Sequence, residues 1–227
     1  MRRHATPLAD APAATLAPAR GSAPGPGDGP AATGVQIVDE LADVVAIFSP
    51  AVQVCLYRRA PLVHLQAALA RQAETGALTG FRRVLEADRP LPALPLPAAV
   101  DAAGAARELG LLVEIFGELL GCPRIGLRLE LLHRPMCPRW HRDRNGIRLL
   151  CTWLGPGTEW LDDAAAPGAD PAGIPSTTPP SGRAAPFDLV LLKGGLWQGN
   201  AGRGAIHRSP DPAASARCLV ALDALWD

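Results

Sequence analysis

The spacing of hydrophobic and polar residues changes once along the chain, close to Pro123. Before this point, apolar residues recur at the three- and four-residue intervals of a helix. Gly121 and Pro123 follow the longest such stretch in the order typical of a helix end. The predicted helices cover residues 39–48, 61–74 and 98–120, with the first turn of the second beginning at Pro61. A strand is predicted between the first two helices, over 52–57.

After Pro123 the period becomes that of a strand, because apolar and polar residues alternate over 125–132. Further strands are predicted over 148–154, 187–192, 204–207 and 217–222. The stretch 161–185 has no periodicity and is rich in Gly, Pro, Ser and Thr, so we expect a long loop that acts as a lid. Helices followed by short strands with uneven loops favour an α+β fold, in which the helices buttress a β-sandwich or jelly roll.

The domain organisation follows from the same pattern. Residues 1–34 are an Ala/Pro/Gly-rich segment with few large apolar side chains, and we expect a disordered tail there. We expect 35–227 to form a single domain. Within it, 35–123 would be mainly helical support and 124–227 the jelly-roll core.

Charge and cysteine content narrow the function classes. The 227 residues include 22 basic and 22 acidic side chains, a balance that argues against nucleic-acid or anionic-membrane binding. No run approaches the roughly 20 apolar residues of a membrane-spanning helix. Five cysteines are an odd number, and no apolar segment follows the first arginines as it would in an export signal. We therefore expect a cytoplasmic protein with reduced thiols.

A metal site is indicated by His141, Asp143 and His207. On an extended segment, residues two apart point to the same face, so His141 and Asp143 would project together. Two histidines and one carboxylate are the facial triad of non-haem Fe(II) oxygenases, which leaves coordination positions open. The same donors also suit zinc, so the residues leave iron and zinc open.

Arginine and tryptophan residues cluster around these positions. If the segments meet, the pocket is cationic and suits a small anionic substrate or cosubstrate. The tryptophans would form either a substrate wall or the filling of the core. The proposed pocket residues are Arg139, Trp140, Arg148, Trp160, Trp197 and Arg208.

The order of these motifs resembles the double-stranded β-helix core of Fe(II)/2-oxoglutarate-dependent oxygenases over residues 124–223. The matching segments are the His-x-Asp pair, Gly-Thr-Glu-Trp at 157–160, Phe-Asp-Leu-Val-Leu-Leu at 187–192, the distal His207 and, ten residues later, Arg217. The resemblance implies that His141, Asp143 and His207 hold Fe(II), and that Arg217 holds the 5-carboxylate of 2-oxoglutarate. Many members carry Ser two residues after that arginine, whereas this chain has Leu219. The leucine in place of serine affects the predicted cosubstrate site more than it affects the predicted fold.

A closer resemblance spans residues 35–223. The segments 127–143, 148–161 and 199–210 are similar to those of an uncharacterised bacterial family numbered 1826 among the domains of unknown function. These motifs are long and distinctive, but the family name supplies no activity. The reaction class therefore rests on the metal triad and on the resemblance of the core.

The leading hypothesis is an Fe(II)-dependent, oxygenase-like enzyme with 2-oxoglutarate as its cosubstrate. The first alternative is a non-catalytic metal-binding protein, for example in zinc handling, that uses the same ligands with or without Cys137. Cys137 and Cys151 could join a histidine in a zinc site, although paired Cys-x-x-Cys spacing is absent. A cupin-like binding module and a cysteine nucleophile based on His141 or His207 are the remaining alternatives.

Overall fold

The computed structural model describes residues 34–97, 101–162, 170–211 and 216–226. Two α-helices precede most of the sheet, α1 at Val63–Glu74 and α2 at Ala102–Leu120. Two 3-10 helices lie at Leu41–Phe48 and Pro171–Gly173. The strands are β1 Val35–Val38, β2 Val54–Tyr57, β3 Phe81–Glu86, β4 Arg124–Leu132, β5 Ile147–Leu154, β6 Glu159–Leu161, β7 Gly182–Arg183, β8 Leu189–Lys193, β9 Ile206–Arg208 and β10 Arg217–Leu225.

The strands form two sheets. The large sheet has the order β1-β2-β8-β5-β10-β4-β3, and the small sheet has the order β7-β6-β9. All pairings are antiparallel except β1 with β2. A single antiparallel bridge between His141 and His207 extends the small sheet beyond β9. Successive segments of the chain thus alternate between the two sheets. One side of the roll consists of β4, β10, β5 and β8, and the other consists of the His141 segment, β9, β6 and β7. This arrangement is a jelly roll, or double-stranded β-helix, and confirms the predicted fold class.

The described residues form three apolar clusters, of which the smallest contains Trp140, Leu161 and Ile206 and the other two are extended layers. One lies between the two sheets and includes Leu150, Trp160, Val190 and Leu219. The larger layer covers the other face of the large sheet, where the helices pack. In β4, alternate residues are buried in this layer while their neighbours face the interior of the roll. The strand period therefore directs Arg128 and Glu130 toward the cavity described below.

Most of the predicted elements are confirmed. α2 begins at Ala102 after Asp101, whose side chain accepts a hydrogen bond from the Gly104 backbone, and ends at Gly121 in the left-handed conformation. The placement of Pro61 in the first turn of α1 was wrong, because that helix begins at Val63. Four short strands were not predicted, namely β1, β3, β6 and β7.

The predicted loop and tail are only partly described. Within 161–185, the chain leaves β6, forms the 3-10 helix at Pro171–Gly173 and returns through β7 to pair with β6. Residues 163–169 of the loop and 1–33 of the predicted tail lie outside the described residues. In the described part of the chain, no helix is both long and apolar enough to cross a membrane.

Candidate metal centre

The two histidines are placed by backbone pairing across the small sheet. The His141 N–H donates to the His207 carbonyl over 3.1 Å, and the His207 N–H donates to the His141 carbonyl over 3.0 Å. Residues that exchange both bonds lie directly opposite each other, with their side chains on the same face. The two imidazole ring centroids are consequently 4.3 Å apart.

Asp143 completes the group two residues after His141. Its Oδ1 lies 3.5 Å from His141 Nε2, and its Oδ2 lies 3.5 Å from His207 Nε2. One donor atom from each of the three residues falls within 4.8 Å of the others. The expectation that the three side chains converge is thus met, and metal binding by them stays a prediction.

The outer hydrogen bonds of both imidazoles select the tautomer that a metal requires. His141 Nδ1 lies 3.0 Å from the Arg139 carbonyl, and His207 Nδ1 lies 3.0 Å from the Ala205 carbonyl. A carbonyl oxygen only accepts, so each Nδ1 carries a hydrogen. In the neutral ring, the lone pair is then on Nε2 and can bind a metal, whereas in a protonated ring Nε2 carries a hydrogen and donates it to Asp143. Histidine ligands of metals are commonly oriented in this way, so the residues fit a metal ion.

The carboxylate of Asp143 is kept ionised. Burial would raise its pKa, but hydrogen bonds with His141 and His207 and the positive charge of Arg148 outweigh that effect and hold the pKa well below its usual range. The hydrogen bond to Asp143 in turn raises the pKa of His141. An anionic Asp143 at neutral pH is the form that binds a cation.

Arg148 on β5 positions Asp143. Its Nη1 donates to Asp143 Oδ2, and its Nε donates to Asp223 Oδ1 over 2.7 Å. Asp223 also accepts from Arg128 Nη2 over 3.0 Å. Arg148 therefore orients the Asp143 carboxylate and, through its charge, also helps to keep the pKa of that carboxylate low.

We expect Arg148→Met to weaken divalent metal binding by about 10- to 100-fold, the range typical of lost outer-shell partners. Arg128→Met is the matched control, since Arg128 binds the same Asp223 but not Asp143. Calorimetric titration of both variants with the metal checks this. Equal affinities in the two variants would show that Arg148 only contributes charge.

Arg217 is buried at the start of β10, with 1% of its surface exposed. It donates to the Pro156 carbonyl at 2.8 Å and to hydroxyls of Thr158, Thr152 and Ser209 at 3.0–3.4 Å. No carboxylate among the described residues pairs with it. Burial lowers its pKa to about 10, and it still carries its charge at neutral pH.

Two cavities meet at the triad. The inner one, of about 120 Å³, is lined by His141, Asp143 and His207 and also by Arg217, so the buried cation and the triad share one cavity. The outer one, of about 710 Å³, is lined by His141 and Asp143 on its inner side. Part of the predicted lid, Asp170–Ala172 and Ile174, lines this outer cavity.

A comparison with known protein families identifies the family of the chain. The family model described as a protein of unknown function, DUF1826, matches residues 38–223. The chain belongs to the DUF1826 family. No curated protein matches the sequence of this DUF1826 chain.

Solved structures similar to the DUF1826 chain include a dioxygenase for auxin oxidation from rice, at 16% identity, a TM-score of 0.48 and coverage of 84% of this chain and 83% of that one. A prolyl-4-hydroxylase from Pseudomonas putida has 15% identity and a TM-score of 0.45, covering 83% of this chain and 100% of the other. The 2-oxoglutarate complex of dioxygenase for auxin oxidation 1 from Arabidopsis thaliana has 11% identity and a TM-score of 0.49, covering 85% and 93%.

The six proposed pocket residues are placed differently. Arg139 and Trp140 line the outer cavity, and Arg148 and Arg208 line the inner one. Trp160 lies in the apolar layer between the sheets, and Trp197 stacks on Phe48 with a centroid distance of 5.8 Å. These two indoles therefore fill the core of the DUF1826 chain or pack against it.

Arg208 has a structural partner that the sequence did not suggest. Its Nε donates to Glu159 Oε2 over 2.7 Å, and its guanidinium lies 4.1 Å from the centre of the Trp140 ring. Glu159 is itself buried and also binds Arg183. Much of the hydrogen-bonding capacity of Arg208 is thus used within the small sheet.

The structure does not assemble the suggested cysteine–histidine zinc site. Cys137 is exposed and lines the inner cavity, but it is not part of the donor group formed by the triad. Cys151 lies in the other apolar layer, 4.0 Å from Arg59 Nη2, and burial raises its pKa to about 12. A protonated, buried thiol is neither a metal ligand nor a nucleophile.

Sequence reasoning missed the hydroxyls that hold Arg217. Thr158 belongs to the Gly-Thr-Glu-Trp motif, and Thr152 is a polar residue within the apolar strand β5. A buried threonine in a strand requires a hydrogen-bond partner, so the polar position of Thr152 was an available signal.

Proposed function

We propose that the chain is an Fe(II)-dependent oxygenase that uses 2-oxoglutarate as its cosubstrate. The observation that carries the proposal is the inner cavity, which has the His/Asp triad and the buried Arg217, with no carboxylate partner among the described residues, on its wall. Metal binding alone does not require a desolvated arginine beside the ligands. Binding of a dicarboxylate cosubstrate does, because its distal carboxylate needs a cationic partner. Burying an unpaired cation is costly, and such residues concentrate at functional sites.

His141, Asp143 and His207 would hold the iron. When bound, Fe(II) activates dioxygen for attack on a C–H bond, and three protein ligands leave coordination positions for the cosubstrate and dioxygen. The protein supplies binding, orientation and the exclusion of water.

Arg217 would bind the distal carboxylate of 2-oxoglutarate. Its guanidinium presents several donors in one plane, which suits bidentate contact with a carboxylate. The hydroxyls of Thr158 and Thr152 hold its Nη2 in place, and the Pro156 carbonyl holds its Nε. Leu219 and Leu150 line the same cavity and would pack against the carbon chain of the cosubstrate. Leu219 would thus contribute an apolar contact at the position where many Fe(II)/2-oxoglutarate-dependent oxygenases carry a serine.

Anaerobic calorimetry with Fe(II) tests the proposal. We expect the iron-loaded protein to bind 2-oxoglutarate, to bind pyruvate much more weakly because it lacks the distal carboxylate, and to bind glutarate weakly because it lacks the keto group. Oxygen consumption that depends on 2-oxoglutarate should follow on admission of air. No binding heat for 2-oxoglutarate in protein that has bound iron would overturn the proposal.

A further inference from the structure

We infer that the outer cavity binds an organic anion with an apolar body, a carboxylate or a phosphate ester, as the substrate. This inference rests on the proposed function, since it assigns the substrate class of the same site. The outer cavity, of about 710 Å³, falls within the range typical of small-molecule sites, whereas the inner cavity has only about 120 Å³. The larger ligand therefore belongs outside and the small cosubstrate inside.

The position of the cavity places its occupant beside the metal centre. His141 and Asp143 line both cavities, so the triad lies between them. A molecule in the outer cavity would contact His141 and Asp143, whereas Arg217 lines the inner cavity and not the outer one. An occupant of the outer cavity would therefore lie beside two of the residues that would hold the metal.

The wall of the outer cavity is rich in arginine. The four arginines are Arg139, Arg142, Arg144 and Arg203. Of these, Arg139 and Arg144 are exposed and form no ion pair with any residue in the described ranges. Two guanidinium groups at the mouth of one cavity attract anions and can bind a carboxylate or phosphate through paired hydrogen bonds.

The remaining charges of the wall do not cancel this attraction. Arg142 Nε donates to the Gly204 carbonyl over 3.2 Å, and Arg203 Nη1 donates to the Pro50 carbonyl over 3.1 Å, so backbone contacts hold both side chains. Asp143 is bound to Arg148, and Asp170 accepts a hydrogen bond from the Ala172 backbone over 3.1 Å. Four arginines and two aspartates thus line the outer cavity, so it carries a local positive excess although the chain as a whole has zero net charge.

Apolar side chains complete the wall. Ile174 from the lid segment faces the cavity, and Leu196 contributes a side chain that is 66% exposed. An apolar ligand that covers this leucine removes apolar surface from water, which favours binding. The ligand class is therefore an anion with a hydrocarbon part, and a small inorganic anion would leave this surface uncovered.

Ligand-observed NMR on the metal-free protein tests the inference with three six-carbon probes. Hexanoate represents a carboxylate, hexyl phosphate represents a phosphate ester, and hexanamide is the uncharged isostere of hexanoate. We expect at least one anion to bind at millimolar concentration, with hexanamide at least tenfold weaker. The stronger of the two anions identifies the head group. Equal binding of hexanamide and the preferred anion, or no binding of either anion, would overturn the inference.

Paired variants locate the binding. The double variant Arg139→Gln, Arg144→Gln should weaken the preferred anion at least fivefold. The control Arg71→Gln, Arg107→Gln removes two exposed arginines from α1 and α2 and should leave the affinity unchanged. An equal loss in both double variants, or no loss in the first, contradicts the assignment to the outer cavity. Because these measurements need neither iron nor 2-oxoglutarate, they decide the inference even if calorimetry rejects the oxygenase. Calorimetry on the same variants should show unchanged 2-oxoglutarate binding.

Discussion

His207→Ala is expected to lower the affinity for Fe(II) by more than about 100-fold, because losing a ligand exceeds the 10- to 100-fold cost of losing an outer-shell partner. His207 is 5% exposed, its Nδ1 is bound to the Ala205 carbonyl, and the donor group found among the described residues contains no histidine besides His141 and His207. The backbone bridge to His141 does not involve the side chain, so the fold should persist. Metal analysis after anaerobic loading, with circular dichroism on the same samples, checks both statements.

The matched control is His64→Ala. His64 is exposed on α1 and outside the triad, so the same substitution there should leave iron binding unchanged. If His207→Ala binds iron as tightly as the His64 variant does, the triad is not the metal site.

Arg217→Met should reduce 2-oxoglutarate affinity at least tenfold while leaving iron affinity nearly unchanged. The variant removes a charge-assisted bidentate contact, which costs about 1.5–3 kcal/mol, and methionine keeps an unbranched chain of comparable length in the cavity. Calorimetry of the iron-loaded variant under argon measures the first effect, and metal titration measures the second.

Arg128→Met is the comparison for this experiment. Arg128 lines the same inner cavity, but its guanidinium is paired with Asp223. Arg128→Met therefore removes the same charge from the cavity as Arg217→Met but leaves in place the guanidinium of Arg217, which has no carboxylate partner among the described residues. A similar decrease in 2-oxoglutarate affinity in both variants would mean that cavity charge, rather than contact with Arg217, determines binding. A decrease in iron affinity alone in Arg217→Met would also contradict its assigned role.

The sequence predicted the long elements and missed the short ones for a physical reason. α2 and β4 have strong periodicity because each buries one face along its whole length. β6 and β7 contain three and two residues, too few for any period, and they are defined by partners distant in the chain. β3 has one buried residue of six, so its apolar pattern is weak although it pairs with β4 throughout.

The same distinction applies to the site. The convergence of His141, Asp143 and His207 could be predicted because the chemistry requires a recognisable set of residue types. The environment of the arginines could not, since it depends on single partners far along the chain. Arg208 pairs with Glu159, and Arg148 bridges Asp143 and Asp223, 75 residues away from it in sequence. Local composition indicates that arginines gather, whereas only tertiary pairing determines which of them face a ligand.

The hydrogen-bonded pairing of His141 with His207 makes the two imidazoles a transferable unit. Their shared orientation comes from register alone, and a shift of one residue would turn His207 to the opposite face of the small sheet. In an unrelated antiparallel sheet, two histidines at directly opposed, hydrogen-bonded positions would have the same mutual orientation. Adding an aspartate two residues beyond one of them would then supply the third donor. Two opposed histidines and one aspartate are therefore a simple design rule for building such a donor set into a designed β-protein.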